Sequence, residues 1–279
     1  MTDTPTGRDV NSLLRRRYGA GAPTLTDPAL LSSDTLALLL RHRTVRSFSP
    51  GEVTDEHVTA IIAAAQSAAS SSNNQSWSVV EVRDEARRRR LVEQAHGSAL
   101  IAGAPVVLLF VADWARAAEV ASWQGAPAEA ADYLESTLVA FADAAIAAQN
   151  AVVAAESLGL GTCYLGSLRN RPEASAAEIG LPQRSAVAFG VALGWPDPDD
   201  TAGIKPRLPQ GAVRSREGYR ETQRADVAAY EQELDAYNAS QGRSGSWISA
   251  VVARVRDVAG LHGRENARAA LERRGLPSH

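Results

Sequence analysis

Apolar positions along the chain alternate between two spacings, one suited to helices and one to strands. Residues 34–43, DTLALLLRHR, carry Leu36, Leu38, Leu39 and Leu40 and predict a helix. Pro50 opens the next turn. Thr54, followed by Asp55 and Glu56, predicts the N-cap and first turn of a second helix, TDEHVTAIIAAAQSAAS. A polar SSSNNQS segment follows, and Trp77–Val82, WSVVEV, then alternates as a β-branched strand. Residues 84–97 read as an arginine-rich helix. Residues 104–112, APVVLLFVA, form an unbroken apolar run of strand length, the signature of a strand covered on both faces. A long apolar helix is predicted over 133–158, stopped by Gly159. Its many alanines allow close approach, by neighbouring elements or by a second copy of the chain. A short strand at 162–165, a helix at 173–179 and a second buried strand at 186–194, AVAFGVALG, come next. KPRLP (205–209) reads as an ordered loop. Residues 224–239 form an amphipathic helix with Tyr230, Leu234 and Tyr237 on one side, followed by the Gly/Ser loop QGRSGS and two helices over 247–275. Residues 1–33 predict a short helix and an irregular arm, with Arg15, Arg16 and Arg17 on a solvated face.

This order of elements predicts an α+β fold, with one sheet of four or five strands wrapped by helices. The 279 residues contain no internal repeat and no linker long enough to set off a second independent domain. With 29 basic and 32 acidic residues, the charge balance gives no overall pull toward nucleic acid or an acidic membrane. The single cysteine, Cys163, excludes an intrachain disulfide and a multi-thiolate metal site. No uninterrupted apolar run approaches the ~18 residues of a membrane span, and MTDTPTGRDV carries no apolar signal region. The expectation is a cytoplasmic protein.

Familiar catalytic patterns are missing. There is no GxSxG elbow and no phosphate-binding GxxxxGK[ST]. The five histidines, His42, His57, His96, His262 and His279, lack metal spacing with one another or with Cys163, so no metal site is expected. Cys163 sits in an apolar strand and reads as structural. Gly159-Leu160-Gly161 lacks the third glycine of a dinucleotide fingerprint and reads as a helix end. What remains is a dispersed anion site. His42-Arg43-Thr44-Val45-Arg46 puts three basic groups and a hydroxyl at a helix end. The segment running from Ser70 and Ser71 through Asn73 to Gln75 offers hydroxyls and amides. Lys205-Pro206-Arg207 adds two cations on a stiff loop, and Lys205 is the only lysine among the 29 basic residues. Arginine grips phosphate bidentately and lysine acts as a point charge. Each segment alone also reads as ordinary capping or surface charge. Together they ask for a ligand with a phosphate and a polar heteroaromatic edge.

HRTVRSF, the serine loop ahead of a strand, AAQNAVVAAESLGLGTCYLGSLRN (147–170), FGVALGWP (189–196) and KPRLP together resemble the nitroreductase superfamily. The likeness is to its larger FMN-dependent NAD(P)H oxidoreductases, the oxygen-insensitive nitroreductases and flavin reductases, and runs from about residue 34 to 250. The resemblance implies a mostly antiparallel sheet wrapped by helices, a homodimer, and one FMN at each of two subunit interfaces. It divides the chain into an arm (1–33), an FMN-binding core (34–210) and a C-terminal helical extension (211–279). By position, it implies that His42, Arg43 and Thr44 hold the FMN phosphate and ribityl chain, with Arg207 on the phosphate. Arg46 and Lys205 would face the pyrimidine edge. Ser70, Ser71 and Asn73 would come from the partner subunit. Tyr164, Leu165, Gly166 and Ser167 would line the ring face and N5 edge. The implied reaction is ping-pong transfer of hydride from NADPH or NADH to electron-poor acceptors, with no protein acid, base or nucleophile. A flavin-dependent dehydrogenase or tailoring enzyme of the same fold, and a non-catalytic flavin-binding protein, are the alternatives.

Four departures stand out. Ser167 replaces the second glycine of the relatives' turn, Ser98 stands where they have a glutamine, and the N-terminal arm is longer than theirs. The loop that grips the NADPH 2′-phosphate in those relatives carries only Arg243 here, which predicts weak discrimination against NADH.

Overall fold

A computed structural model describes residues 9–95 and 99–279. The expectations placed on residues 1–8, on His96 and on Ser98 lie outside the described residues. In chain order the helices are α1 (Val10–Tyr18), α2 (Pro28–Leu31), α3 (Asp34–Arg41), α4 (Asp55–Gln66), α5 (Glu85–Gln94), α6 (Ala99–Gly103) and α7 (Ala115–Trp123). They continue with α8 (Leu134–Ser157), α9 (Pro172–Glu178), α10 (Gln210–Val213), α11 (Arg224–Ser240), α12 (Trp247–Val255) and α13 (Ala267–Arg273). The strands are β1 (Trp77–Val82), β2 (Val106–Asp113), β3 (Gly161–Leu165) and β4 (Ser185–Gly194). The chain divides into two units. One combines Met1–Arg43 with Thr201–Gly260, the other Thr44–Asp200 with Leu261–His279.

The second unit carries the sheet, in the order β1-β2-β4-β3 with every neighbouring pair antiparallel. The continuous apolar runs of β2 and β4 occupy the two central places, because only central strands of a covered sheet are buried on both faces. Along β2 the pleat sends Val106, Leu108 and Phe110 to one side and Val107 and Leu109 to the other. The first set meets α8 and α4. The second meets Leu91 of α5 and Ile101. The less uniform sequence of β1 suits an edge, where among the described residues it pairs only with β2.

α8 is the helix expected over 133–158. By length and composition alone it is apolar enough to cross a membrane. In the structure Ala140, Ala144, Ala147, Ala148, Ala151 and Ala155 are buried, and the helix packs on the sheet and α4. The bare alanine face is what lets these backbones come close. α8 ends as its glycine predicts. Gly159 adopts a left-handed φ of 87° just past the C-cap Leu158, and Leu160 N–H reaches back to Ala155 O at 3.0 Å. At α4 the predicted cap is also present: Thr54 Oγ1 accepts from His57 N–H, and His57 Nδ1 faces Thr54 N–H.

The first unit is built on a smaller core, Val10, Leu13 and Leu14 of α1 with Ala37 of α3 and Ile204. One expectation fails here. Arg17 is not on a solvated face: it is only 5% exposed. Val10, Leu13, Leu14 and Arg17 follow the i, i+3, i+4, i+7 spacing of a single helix stripe, so Arg17 goes in with the leucines.

Candidate functional site

In the first unit, His42 is the C-cap of α3 and Arg43 follows it. Lys205 and Arg207 are exposed on either side of buried Pro206. The backbones of these two segments meet at one buried guanidinium. Arg17 Nη2 donates to Leu40 O at 2.7 Å and His42 O at 2.8 Å, and Nη1 donates to Lys205 O at 2.7 Å. Arg207 N–H returns a bond to Arg17 O at 2.9 Å. α11 holds the same loop by other atoms. Tyr237 Oη donates to Gly203 O at 3.1 Å, and Gly203 N–H donates to Gln241 Oε1 at 3.3 Å. The KPR cations are thus carried on a loop pinned by α1 and α11; Lys205 is exposed, while Arg207 Nη1 donates back to Lys205 O and Pro206 O, each at 3.1 Å.

Arg243 is also in this unit, exposed in the loop after α11. That loop is tied back to the helix. Arg243 N–H donates to Asn238 O at 2.8 Å, and Asn238 Nδ2 donates to Gly245 O at 2.9 Å.

In the second unit, Thr44, Val45 and Arg46 run beside β3. Val45 N–H donates to Thr162 O at 2.9 Å, a parallel bridge links Thr44 to Thr162, and Val45 is buried. Alternation then sends Thr44 and Arg46 away from the face that Val45 takes. Tyr164 lies on the same strand, its ring edge-on to Phe189 at 5.3 Å and its hydroxyl 3.3 Å from Gln149 Oε1. Burial, with help from the Glu156 charge, pushes its phenol up to about 12, so it stays protonated at neutral pH. Gly166 and Ser167 begin the turn that follows β3, whereas Leu165 turns its side chain into the core. Burial likewise pushes the Cys163 thiol up, against the opposing charge of Arg46, which keeps it a poor nucleophile.

Ser70, Ser71 and Asn73 sit on a loop with an unusual backbone. Ser72, Asn73 and Gln75 have φ of 48°, 56° and 50°, in the left-handed region. A buried carboxylate holds it. Asp143, 2% exposed in the middle of α8, accepts from Ser70 Oγ at 2.8 Å, Ser71 N–H at 3.0 Å, Ser76 N–H at 3.2 Å and Ser76 Oγ at 3.0 Å. The hydroxyl of Ser70 is therefore committed within the fold, and the side chains of Ser71 and Asn73 are the exposed ones. The loop leads into β1 at one edge of the sheet, while the Tyr164–Ser167 turn ends β3 at the other. Three strand spacings separate those edges, roughly 14 Å. Within one chain the structure does not bring these two groups together.

Sequence reasoning missed two residues. Asp143 is an acid flanked by alanines in an apolar helix, and a carboxylate there demands partners. Arg17 sits in the apolar stripe of α1. Both signals were in the pattern. Among the described residues no group of three or more metal-ligating side chains converges.

The nitroreductase family model matches residues 39–195, and that of the nitroreductase C-terminal domain matches residues 205–279. The NADPH-flavin oxidoreductase of Vibrio harveyi is 39% identical over 75% of this chain and 84% of its own length. The oxygen-insensitive NADPH nitroreductase of Salmonella typhimurium is 36% identical over 75% of this chain and 85% of its own. The solved structure of the Vibrio harveyi NADPH:FMN oxidoreductase complexed with NAD+ superposes with a TM-score of 0.79 at 34% identity, covering 88% of this chain and all of that one.

Proposed function

The chain belongs to the nitroreductase family, and from that premise we propose that it is an FMN-dependent NAD(P)H oxidoreductase of the larger nitroreductase and flavin reductase type. The observation that carries the reading is the pair of cationic segments, 42–43 and 205–207, pinned to one buried guanidinium inside a single unit. Both fall within the matched regions. This donor set fits a phosphorylated flavin: guanidinium forks and an ammonium for anionic groups, a hydroxyl at Thr44, and a neutral phenol at Tyr164.

When bound, FMN supplies the ring that accepts hydride from a reduced nicotinamide and returns it to an electron-poor acceptor such as a nitroaromatic, a quinone or a free flavin. His42, Arg43, Thr44 and Arg207 hold the phosphate and ribityl chain. Arg46 and Lys205 place positive charge at the pyrimidine edge, where negative charge grows on reduction. Tyr164, Gly166 and Ser167, with the backbone of Leu165, line the ring. Ser71 and Asn73, on a loop that Ser70 ties to Asp143, serve the site of a partner copy, because their loop and the Tyr164–Ser167 turn lie at opposite sheet edges. The working unit is then a cytoplasmic homodimer. Exposed Leu138 and Ile146 on α8 supply apolar surface for the contact.

The purified protein is expected to be yellow, to sediment as a dimer, and to bleach anaerobically with NADPH or NADH. A colourless preparation that takes up no FMN overturns the reading. Flavin that is bound but not reduced by either nucleotide transfers the case to a dehydrogenase, a tailoring enzyme or a flavin-binding protein.

The nucleotide preference is expected to be shallow. A 2′-phosphate is read by cations, and the 241–246 loop presents Arg243 alone. One exposed charge-assisted bond supports a preference of roughly tenfold to a few tens. Arg243→Ala should remove most of it and leave NADH kinetics nearly unchanged. Specificity constants for both nucleotides decide this, and a thousandfold NADPH preference, or one that survives the substitution, assigns the reading to another basic group.

A further inference from the structure

α1 lies outside both regions matched by the family, yet its Arg17 is bonded to both cationic segments. We propose that Arg17 is a positioning residue for the phosphate end of the flavin, a brace contributed by the N-terminal arm; this rests on the FMN reading above.

The physical argument begins with α3. A helix C-terminus leaves its last carbonyls without helical partners and carries the negative end of the helix dipole. That is the wrong end of a helix for an anion. Here the residues expected to grip a phosphate, His42 and Arg43, come directly off that end. Arg17 Nη2 takes Leu40 O and His42 O, so a positive charge sits on those carbonyls and fixes the backbone of His42. Its Nη1 takes Lys205 O, and its own carbonyl takes Arg207 N–H. One buried side chain therefore offsets the unfavourable dipole and sets the spacing between the two cationic segments. The planar fork is needed for this, since an ammonium on a lysine stem cannot address three carbonyls in the same directions. α1 is held in place independently, by Val10, Leu13 and Leu14 against Ala37 and Ile204, so the guanidinium arrives on a docked helix.

A brace of this kind acts on recognition of the phosphate rather than of the ring. Equilibrium binding of FMN and of riboflavin, which lacks the phosphate, separates the two. The full-length protein stripped of flavin is compared with Arg17→Met, Arg17→Lys and Leu13→Ala. Wild type should prefer FMN. Arg17→Met should lose about tenfold to a hundredfold in FMN affinity while riboflavin binding hardly moves, so the FMN-to-riboflavin ratio collapses. Arg17→Lys should recover only part of it, and it carries the test if the methionine variant does not fold. Leu13→Ala should lower Tm and keep the ratio, as a purely structural lesion does. An unchanged ratio in both Arg17 variants, or equal losses for the two flavins, overturns the proposal. Wild type that binds neither flavin removes the FMN reading itself and the brace with it.

Discussion

Asp143→Ala is expected to be among the most damaging single substitutions in the chain, lowering stability by about 3–5 kcal/mol. The carboxylate is 2% exposed and accepts four hydrogen bonds from three residues of the 70–76 loop. Without it the amide and hydroxyl of Ser76, themselves buried, lose their acceptor, and each such orphan costs about 1–3 kcal/mol. Ser70 and Ser71 are closer to solvent and recover part of their loss from water. A second consequence follows from the backbone. Ser72, Asn73 and Gln75 hold left-handed conformations that cost roughly 1–2 kcal/mol each for residues with a Cβ. Once the anchor is gone, the loop relaxes toward ordinary dihedrals and its exposed side chains move. Asp143→Asn should fall between wild type and alanine, because its amide nitrogen must face one of the same donors. Thermal unfolding reads this directly, with Tm expected to drop on the order of 10 °C for the alanine variant. A shift of a degree or two would mean that Asp143 does not anchor the loop.

Gly161→Ala is the second large effect, and it joins packing to the site. A Cβ at Gly161 would stand 2.7 Å from Cβ, Cγ1 and Cγ2 of Val45. The obstacle is the stiff root of a β-branched side chain, not a flexible tip, so it cannot swing aside. Either β3 or the Thr44–Arg46 segment must move, and overpacking of this kind costs about 1–3 kcal/mol. β3 is fixed along its length by pairing with β4, whereas the segment is held only through the Val45–Thr162 bond and the Thr44 bridge, so the segment is the part that yields. The variant should therefore lose flavin retention as well as stability. Gly103→Ala is the matching control, since a Cβ there meets nothing within 4 Å, and it should be neutral or slightly stabilising. Dialysis of the holoprotein, followed by flavin absorbance and a melting curve for both variants, gives the answer. A Gly161→Ala protein as stable and as yellow as the control would show that the contact is soft.

The elements were legible because their causes are local. The β-branched run of β1, the unbroken apolar runs of β2 and β4, the Thr54 cap and the Gly159 stop each state their structure within a few residues. The cationic segments were legible for the same reason, since three basic side chains and a hydroxyl share positions 42–46 and two cations flank Pro206.

What the chain could not say locally was which groups would meet. Nothing near residue 143 names the serines that its carboxylate would hold, because they lie about seventy positions earlier. Arg17 is farther still from the Lys205 carbonyl it binds. Its place in the stripe with Val10, Leu13 and Leu14 predicts burial, but its acceptors exist only once α3 ends beside the 203–207 loop. The sequence alone determined the fold class, the four strands and the longer amphipathic and apolar helices, though not α6, α7 or α10, and the residue types suited to a phosphorylated flavin. Tertiary structure decided which backbone each charged group stabilises. A buried ion is tolerated only where distant carbonyls or amides converge on it, and that convergence is a property of the packed chain rather than of any stretch of it.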